Sequence, residues 1–460
     1  MDARKPVTSI APPAGWRAIL LARFRTRRER DRQSGVAFLI TISSLSLLIA
    51  LVSQFTYGTT VDAAQAANAR DEVRAHYLAR SAVSLSRLLI KIQLQFVENI
   101  MQTAQQMLAD KMDGQDLGIS LRVTDYVTPL LGFFAGSKME TALLSGLIGI
   151  DTSEATGLGI PTGHMDAEIT NEDGKIDINC GGGMAPDRSK QIMVFRLLQA
   201  LMASPRYNWL FEQRNAEGQF VDRVDLARAI IDWADADEQA FAIDANSSGP
   251  EDYRYDQRED PYQAHNDRYD TVEETNLVRG MDPDYAEAFA SNFTVYASNP
   301  DCKVNLASVK GDCTPLIVGL VRAALFPDPS KPPTDLSILD DNRLYPLASI
   351  LCERSQAVGF GSLDALIGVL NNPAASIARD DPRYQLMQNL TGITITKKQL
   401  EAVAYVGPPR VYRVVATGES GKVKKRIIVI LDSKRQLDNP VTINPESERA
   451  AGVIQYWREE

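Results

Sequence analysis

The sequence predicts an α+β protein in which a long N-terminal helix precedes a small antiparallel sheet, and a large helical region interrupts that sheet. Three observations predict this class. An uncharged apolar run occupies residues 36–55. Short segments with alternating apolar and polar residues occur near residue 170 and again after residue 410. The long stretch between them is dominated by segments with helical periodicity.

The apolar run begins at Val36, directly after Gly35, and reaches Phe55 without a charge or a proline. A helix needs about 20 apolar residues to cross the hydrocarbon core of a bilayer, so the run predicts one transmembrane span. The preceding residues 1–35 carry nine basic and three acidic side chains, a net charge of +6. Basic residues beside a span stay in the cytoplasm, so we expect the rest of the chain to be translocated.

A cleaved secretory signal is the alternative interpretation of this run. Such a signal has an apolar core of about 7–15 residues followed closely by a small-residue cleavage site. The triplet Ala67–Ala69 has the right chemistry, but it lies more than ten residues beyond the run, and the run is longer than such a core. We therefore expect a membrane-spanning helix.

Helical periodicity continues after Phe55. The apolar face is predicted from residues that recur every three or four positions, namely Val73, Tyr77, Ser81, Leu85, Leu88 and Ile92. Residues 97–160 are harder to interpret. The apolar stretch Leu130–Ile150 contains Lys138 and Glu140, so it is interpreted as a packed helical hairpin or a surface patch, not as a second span.

Two hairpins are predicted from alternating segments. Met165–Thr170 and Lys175–Asn179 form the first, with Gly174 expected to supply a positive φ in its turn. The loop Gly181–Gly183 follows this hairpin and is expected to be exposed to solvent; an anion-binding loop is the alternative. The second hairpin and an edge strand follow the helical region and comprise Arg410–Thr417, Val423–Leu431 and Val453–Trp457.

The helical region between the hairpins is expected to be an insertion into one sheet, because an isolated two-stranded ribbon is marginally stable at best. Two independent domains are the alternative. The predicted helices are Lys190–Ala203, Val221–Ala236, Val272–Arg279, Asp284–Ser291, Thr314–Leu325, Pro346–Gln356, Leu363–Leu370 and Lys397–Ala404.

Charge and cysteine content restrict the function classes. The chain has a net charge of −10, and without the +6 of residues 1–35 it carries −16, which disfavours nucleic acid as a partner. The four cysteines lie on the translocated side, where disulfides form. We expect a disulfide between Cys302 and Cys313, which are close enough in sequence to close a small loop, and two free thiols are the alternative. No C-x-x-C pair occurs and the three histidines are scattered, so a zinc site is not expected.

Two segments resemble functional motifs without the context those motifs need. Gly418–Val423 lacks the spacer and the Ser or Thr of a phosphate loop, and it lies between predicted strands. Leu277–Ala286 resembles a helix-hairpin-helix that grips nucleic-acid backbones, but the acidic chain favours a compact packing unit with Gly280 at its turn. No Ser-His-Asp or Cys-His grouping is visible, and no carboxylate pair is marked out for catalysis.

An acidic cluster is the strongest candidate site. Several of its carboxylates follow a predicted helix C-terminus, where negative charge is unfavourable, so a bound cation is expected to offset them. Calcium fits this need because it accepts six to eight oxygen ligands in tolerant geometry. A solvated acidic loop is the alternative. The candidate ligands are Asp232, Asp235, Asp237, Glu238, Glu251 and Asp252.

Taken in order, these features resemble a known family. The basic leader ending at Gly35 resembles a type IV prepilin signal, with cleavage expected before Val36, although Ile40 replaces the usual glutamate at the fifth mature position. Together with later motifs, the chain resembles the minor pseudopilin K family of type II secretion (general secretion pathway protein K). Those motifs are Asp173–Asn179, Ile231–Asp235, Gly249–Tyr253, Pro261–Tyr262, Glu274–Met281, Lys303–Asn305 and the strands from Tyr412.

The resemblance implies a pilin-like helix and sheet with an all-α, SAM-like domain inserted between strands, and calcium bound in that domain. The expected regions are a leader at 1–35, a transmembrane half-helix at 36–58, a periplasmic helix and first strands at 59–183, the inserted domain at 184–405, and final strands at 406–460.

The resemblance also implies a structural role, not an enzymatic one. The protein would cap the tip of the pseudopilus, help initiate its assembly and limit its length during protein export. Its partners would be minor pseudopilins I and J, other pseudopilins, the inner-membrane secretion platform and prepilin peptidase. It would cross the inner membrane once, with most of the chain in the periplasm. The alternatives are a membrane-anchored exported hydrolase and a pilus-like DNA-handling protein.

Overall fold

The computed structural model describes residues 15–94, 163–215, 218–243, 249–251, 255, 261–296, 299–326, 328, 336–358, 360–376, 379–380, 382–390, 392–434 and 452–460. The predicted helical hairpin or patch at 97–160 lies outside these ranges. The chain divides into two compact units, residues 1–71 and 72–460, which are treated separately below.

Helix α1 (Gly15–Ile92) begins in the first unit. Within the described part of the chain, only α1 is long and apolar enough to cross a membrane. Its apolar side chains from Val36 to Phe55 are exposed. The hydroxyls of Thr41 and Ser46 donate to carbonyls one turn earlier, at 2.8 and 2.9 Å, so these polar groups are satisfied within the helix.

The second unit contains a four-stranded antiparallel sheet. In spatial order its strands are β1 (His164–Asn171), β6 (Val411–Ser420), β7 (Val423–Asp432) and β8 (Val453–Glu459). Among the described residues, four short strands lie between β1 and β6 in sequence and form two parallel pairs, β2 (Ile176–Asp177) with β3 (Phe293–Thr294) and β4 (Val304–Asn305) with β5 (Ala404–Tyr405).

The described helices between β1 and β6 are α2 (Arg188–Met202), α3 (Asn208–Glu212), α4 (Arg223–Ala234), α5 (Pro283–Phe289), α6 (Thr314–Leu325), α7 (Asp341–Val358), α8 (Leu363–Asn371), α9 (Tyr384–Asn389) and α10 (Lys397–Glu401). The α+β prediction, with a largely helical region inserted into one sheet, is therefore confirmed. The predicted helix at Val272–Arg279 is a 3₁₀ helix over Val272–Leu277.

The end of α1 packs on the sheet through its small residues. Ala75, Ala79 and Ala82 are fully buried, whereas the side chains of Val73 and Tyr77 are 57% and 61% exposed. Of the six residues of the predicted apolar face, four are exposed, and Leu85 packs only partly against the sheet core, so this face is wrong in most of its residues. The buried side of the helix also carries Leu78, Val83, Leu89 and Ile90; the alanines lie where the helix and sheet come closest, and these larger residues fill the rest of the contact.

The first predicted hairpin is also wrong. Strand β1 pairs with β6, with Met165 opposite Gly418, and β2 pairs with β3 instead of returning along β1. A 3₁₀ turn at Glu172–Gly174 directs the chain into the helical region. Gly174 has no positive φ; a Cβ at this position would lie 2.6 Å from the backbone of Ser308, so the requirement for glycine is steric.

The second hairpin and the edge strand are confirmed. Strands β6 and β7 pair from Val411–Asp432 to Ser420–Val423, and Gly421 turns the chain with a φ of +59°. Strand β8 pairs with β7. Alternate residues of β6 point toward α1, which gives the helix and sheet a hydrophobic core of their own.

The helical region has a second hydrophobic core, which extends from Ile176 to Ala404. Helices α2 and α6 approach closely where Gly319 lies against the backbone of Leu201. Two cores of this kind indicate that the region between β1 and β6 is a folded body inserted into the sheet, and the alternative of two consecutive domains is excluded because β1 and β6 are partners.

A buried glutamate joins the sheet to the inserted body. Glu172 is fully buried and accepts hydrogen bonds from Arg413 Nε (2.6 Å) on β6 and from Thr294 Oγ1 (2.5 Å) on β3. Lys175 Nζ lies 3.3 Å away. Burial alone would raise the pKa of Glu172, but these partners outweigh it and lower that pKa below its usual value. Glu172 is therefore charged at neutral pH.

The neighbouring Asp173 closes the same junction through the backbone. Its Oδ2 accepts from the N–H groups of Arg410 (2.6 Å) and Val411 (2.9 Å), where β6 begins. Arg410 in turn makes two hydrogen bonds of 2.8 Å to the carboxylate of Asp432. The turn at which the inserted body begins is thus hydrogen-bonded to β6, the strand that follows the inserted body.

The structure contradicts the predicted Cys302–Cys313 disulfide. Cys302 pairs with Cys180, and Cys313 pairs with Cys352, with Cα–Cα distances of 5.7 and 5.5 Å. Strand β4 and a 3₁₀ turn fill the interval between Cys302 and Cys313 and direct the two side chains to different neighbours. Proximity along the chain did not predict proximity in space.

Candidate metal centre

The candidate centre is built at the C-terminal end of α4. Asp222 caps the start of this helix by accepting the N–H of Val224. The helix then buries its second half, including Asp232 and Trp233. Asp232 is only 2% exposed, and its Oδ1 accepts the N–H of Phe241 at 2.7 Å. Its Oδ2 is also buried and has no hydrogen-bond partner among the described residues.

Asp235 is the residue at which α4 ends, and it is equally buried. One carboxylate oxygen accepts a hydrogen bond from Gln191 Nε2 on α2. The other oxygen, Oδ1, is buried, and no hydrogen-bond donor among the described residues reaches it. Two neighbouring carboxylates thus each present one unsatisfied oxygen at a helix C-terminus, where the helix dipole is itself negative.

The loop Gly181–Gly183 fixes the position of Asp235. The N–H of Gly183 donates to Ala234 O at 2.7 Å, and a Cβ on Gly182 would lie 2.4 Å from that same oxygen. Gly182 and Gly183 are buried, so the expectation of a solvent-exposed loop is wrong. Three consecutive glycines were the sequence signal for this close backbone approach, because no other residue fits.

Glu251 lies in a segment that makes a short antiparallel contact with the residues that follow α4. The N–H of Ala240 donates to Gly249 O (3.1 Å) and that of Glu251 to Glu238 O (3.4 Å). This pairing brings the segment that follows Gly249 back beside the end of α4. Glu251 is 2% exposed, so it is a third buried carboxylate in this region.

The other predicted ligands behave differently. Asp237 and Glu238 are exposed, and Asp237 Oδ1 accepts the N–H of Gln239 in a local turn. Asp252 lies outside the described residues. The structure therefore separates the six predicted ligands into three buried carboxylates, two exposed ones and one that it does not describe.

Burial controls the charge of the centre. Burial raises the pKa of Asp232 to about 7, partly offset by its hydrogen bond from Phe241. Burial also raises the pKa of Asp235 to about 7, assisted by repulsion from Asp237 and Asp232. A positive charge bound between these carboxylates would reduce their mutual repulsion and would give their unsatisfied oxygens a partner.

The carboxylate oxygens of this centre are suitable ligands for a hard divalent cation. Among the described residues, no three acidic, histidine or cysteine side chains are gathered closely enough to enclose an ion by themselves. Calcium completes its coordination with backbone carbonyls and water, so two or three carboxylates are sufficient. The two orphaned oxygens of Asp232 and Asp235 are the observation that favours such an ion.

An aromatic cluster supports the end of α4. Around Trp233 lie Tyr255, Tyr262, His265 and Tyr269, with ring centroids 5.8–6.4 Å from the indole. The Tyr269 hydroxyl donates to Ile230 O at 2.8 Å, and that of Tyr262 donates to Leu277 O. The segment Leu277–Ala286, considered above as a nucleic-acid motif, thus packs against the same body, and Gly280 makes its turn with a φ of +85°.

The predicted processing site lies in α1. Gly35 and Val36 are both helical and exposed, and apart from its chain neighbours and the backbone of α1 no described atom lies within 4 Å of where a Cβ on Gly35 would be. The described residues therefore show no steric requirement for glycine at residue 35.

Comparison with known proteins relates the inserted body to a family. Residues 185–298 match the family model of type II secretion system protein K. The match runs from α2 to β3 and contains the whole candidate centre. It covers about a quarter of the chain. The resemblance found from the motifs is confirmed over this stretch.

Other comparisons are more distant. A chain in the crystal structure of the GspK–GspI–GspJ complex from the type 2 secretion system of enterotoxigenic Escherichia coli aligns with 12% identity. The alignment covers 79% of this chain and 99% of that one, with a TM-score of 0.38. No curated protein matches the chain.

Proposed function

We propose that this chain is the minor pseudopilin K of a type II secretion system and that it forms a complex with minor pseudopilins I and J. One observation carries the proposal. The stretch that matches protein K lies between β1 and β6, inside a helix-and-sheet unit whose helix α1 carries an apolar segment long enough for a membrane span. The role is structural, since assembly and not catalysis accounts for these parts.

The position we propose is the tip of the pseudopilus. The inserted body between β1 and β6 would obstruct addition of another subunit above it and so limit the length of the filament. Ile40 supports this position. A glutamate at the fifth mature residue would pair with the N-terminal amine of a neighbouring subunit, and a tip subunit has none above it.

The outer face of α1 is the surface that we expect partner helices to cover. Val73, Tyr77 and Leu88 are exposed on the side of the helix away from the sheet. Exposed apolar side chains at helical spacing are typical of a helix-packing surface. These three residues belong to the apolar face predicted from the sequence, and we propose that partner helices cover it instead of the sheet.

Co-purification of the chain with pseudopilins I and J tests the complex. Tyr77→Glu should abolish or strongly weaken the complex, because it places a charge in the proposed contact. Phe220→Glu is a matched control, since Phe220 has a similar exposure of 56% but lies in the inserted body. Failure of the unaltered chain to bind I and J, or an equal loss with both variants, would argue against the proposed surface.

Processing by prepilin peptidase between Gly35 and Val36 is a second part of the proposal. We expect the mature protein to begin at Val36, to cross the inner membrane once and to place the rest of the chain in the periplasm. N-terminal sequencing of the mature protein checks this directly. Gly35→Leu should retain the leader. A mature protein that begins after Ala69 would instead indicate a secretory signal.

Calcium in the inserted body is the third part. Asp232, Asp235 and Glu251 would supply buried ligands, and Asp237, Glu238 or Asp252 could complete the site. The ion would neutralise the end of α4 and hold the loop that leads to Glu251. Ligand binding to the folded state stabilises it by about 2.7 kcal/mol at a free concentration of 100 times Kd.

Thermal unfolding with and without calcium tests this part. Calcium should raise the unfolding midpoint of the chain, and the Asp235→Asn, Glu251→Gln double variant should lose that response. Asp225→Asn is the control, because Asp225 is an exposed carboxylate on the same helix. An unchanged midpoint with calcium would identify these carboxylates as a buried acidic cluster without an ion.

A further inference from the structure

A cavity of about 300 Å³ lies in the inserted body, away from the candidate metal centre. It is bounded by the C-terminal half of α2, the start of α4 and the end of α6. Much of its wall is apolar and is formed by Ala200, Ala203, Val224, Ala323 and Phe326. A volume of this size is at the lower end of the range for small-molecule sites.

Two arginines among the described residues line this cavity. Arg223 is partly buried and donates to Met202 O and Asn208 Oδ1, and Arg196 is the buried one. Arg196 lies on the same face of α2 as Ala200 and Ala203 and is only 8% exposed. Its Nε and Nη2 both donate to the carbonyl of Ala323 in the last turn of α6. No described residue accepts a hydrogen bond from its Nη1, and none forms an ion pair with it.

A second buried arginine of the inserted body has a structural role alone and provides a comparison for Arg196. Arg322, on α6, is fully buried and donates to Asp341 Oδ1 at 2.8 Å as well as to two carbonyls. Its Nη1 also lacks a hydrogen-bond partner among the described residues, so what distinguishes Arg322 from Arg196 is the carboxylate that matches its charge. The charge of Arg196 is not matched by any described residue.

The acidic residues at the cavity do not neutralise Arg196. Asp222 caps α4 through the N–H of Val224, and neither Asp222 nor Asp328 pairs with the Arg196 guanidinium. Burial lowers the pKa of Arg196, and no neighbouring carboxylate raises it again. An arginine nevertheless remains charged in proteins, so this buried cation is left without a counter-ion.

We propose that the cavity binds a carboxylate with a short aliphatic body, whose oxygens pair with Arg196 and whose carbon chain contacts the apolar wall. A carboxylate can accept two parallel hydrogen bonds from the planar guanidinium. A phosphate fits less well, because Asp222 and Asp328 also line the cavity and would repel a second negative charge. The inference does not depend on the proposed function. The carboxylate could belong to a free acid or to the C-terminus of a polypeptide.

Titration of the full chain in a non-ionic detergent tests the proposal. Calorimetry compares butyrate with butyramide, and the peptide acetyl-Gly-Ala-Val with a free C-terminus against the same peptide amidated. We expect the carboxylate form of at least one pair to bind at least tenfold more tightly than its amide. Binding of butyrate alone indicates a free acid as the ligand, and binding of the peptide alone indicates a polypeptide end.

Two variants locate the site. Arg196→Gln should weaken binding of the carboxylate ligand at least tenfold. Ala203→Leu should weaken it as much by filling the cavity, although it leaves the guanidinium in place. Arg228→Gln removes a partly exposed arginine on α4, outside the cavity, and should bind like the unaltered chain. The proposal is overturned if neither carboxylate binds better than its amide, or if folded Ala203→Leu binds with unchanged affinity. Arg196 would then serve only to cap α6.

Discussion

Gly418 is the position where a single added carbon should do the most damage to the helix-and-sheet unit. It lies in β6, opposite Met165 of β1, and α1 passes directly over it. A Cβ at Gly418 would lie 2.0 Å from Ala75 O and 2.5 Å from Ala79 N. Both contacts are with helix backbone, so no side-chain rotation can relieve them. Gly418→Ala must therefore displace α1 from the sheet.

The distance by which α1 must move away from the sheet determines how much stability Gly418→Ala loses. Ordinary contact begins at 3.4 Å, so the helix and strand must separate by about 1.4 Å at Ala75. A gap of about 0.5–1 Å already removes a quarter to a half of the dispersion attraction between packed atoms. Overpacked cores typically lose about 1–3 kcal/mol. Because the clash is with backbone, we expect a loss near the upper limit, about 3 kcal/mol.

Amide hydrogen exchange in residues 75–90 measures this loss locally, which is necessary because the chain has two cores. A decrease of about 3 kcal/mol corresponds to an increase of about a hundredfold in exchange rate when opening precedes exchange. Gly368→Ala is the control. Gly368 lies in α8 with no atom within 4 Å of the added carbon, so α1 should exchange as before and α8 should gain up to about 1 kcal/mol. Unchanged exchange in α1 for Gly418→Ala would refute this account of the packing.

Other predictions address the junction, the disulfides and the tip. Glu172→Gln should lower the free energy of unfolding by about 3–5 kcal/mol at pH 7, because it breaks a buried ion pair. Since the folded-state pKa of Glu172 is lowered, its contribution is present above the unfolded-state value of about 4.3 and is lost as the pH falls through the folded-state pKa. In urea unfolding, the difference in free energy of unfolding between the unaltered chain and Glu172→Gln should therefore become smaller below about pH 4. A difference that stays constant down to about pH 3 would contradict the role given to Glu172 at the junction. Thiol labelling of the denatured, unreduced chain should find no free cysteine, and Cys302→Ala should expose Cys180; exposure of Cys313 instead would restore the pairing expected from sequence. Ile40→Glu should reduce assembly with other pseudopilins, because an unpaired carboxylate is costly to bury, and normal assembly would argue against the tip position.

Local pattern was sufficient for the features that depend on neighbours in sequence. The apolar run predicted the membrane-compatible part of α1, and period-two alternation predicted the hairpin of β6 and β7 with its turn near Gly421. Helical periodicity gave the bounds of α6 at Thr314–Leu325. The acidic residues around α4 were also identifiable, because an excess of carboxylates at a helix end is visible without a structure.

Only the tertiary structure decided which distant segments meet. Strand β1 could have paired with the next alternating segment, yet it pairs with β6 about 240 residues later, since the turn at Glu172 is bonded into the inserted body. The same holds for the cysteines, and for the division of the predicted ligands into buried Asp232, Asp235 and Glu251 and exposed Asp237. The apolar face of α1 was assigned wrongly because apolar residues recur at helical spacing on two faces of this helix, and periodicity alone cannot indicate which of the two the sheet covers. The sheet covers the face of Leu78, Val83 and Ile90, and at Gly418 the backbone of the strand approaches the backbone of the helix beside the fully buried Ala75 and Ala79.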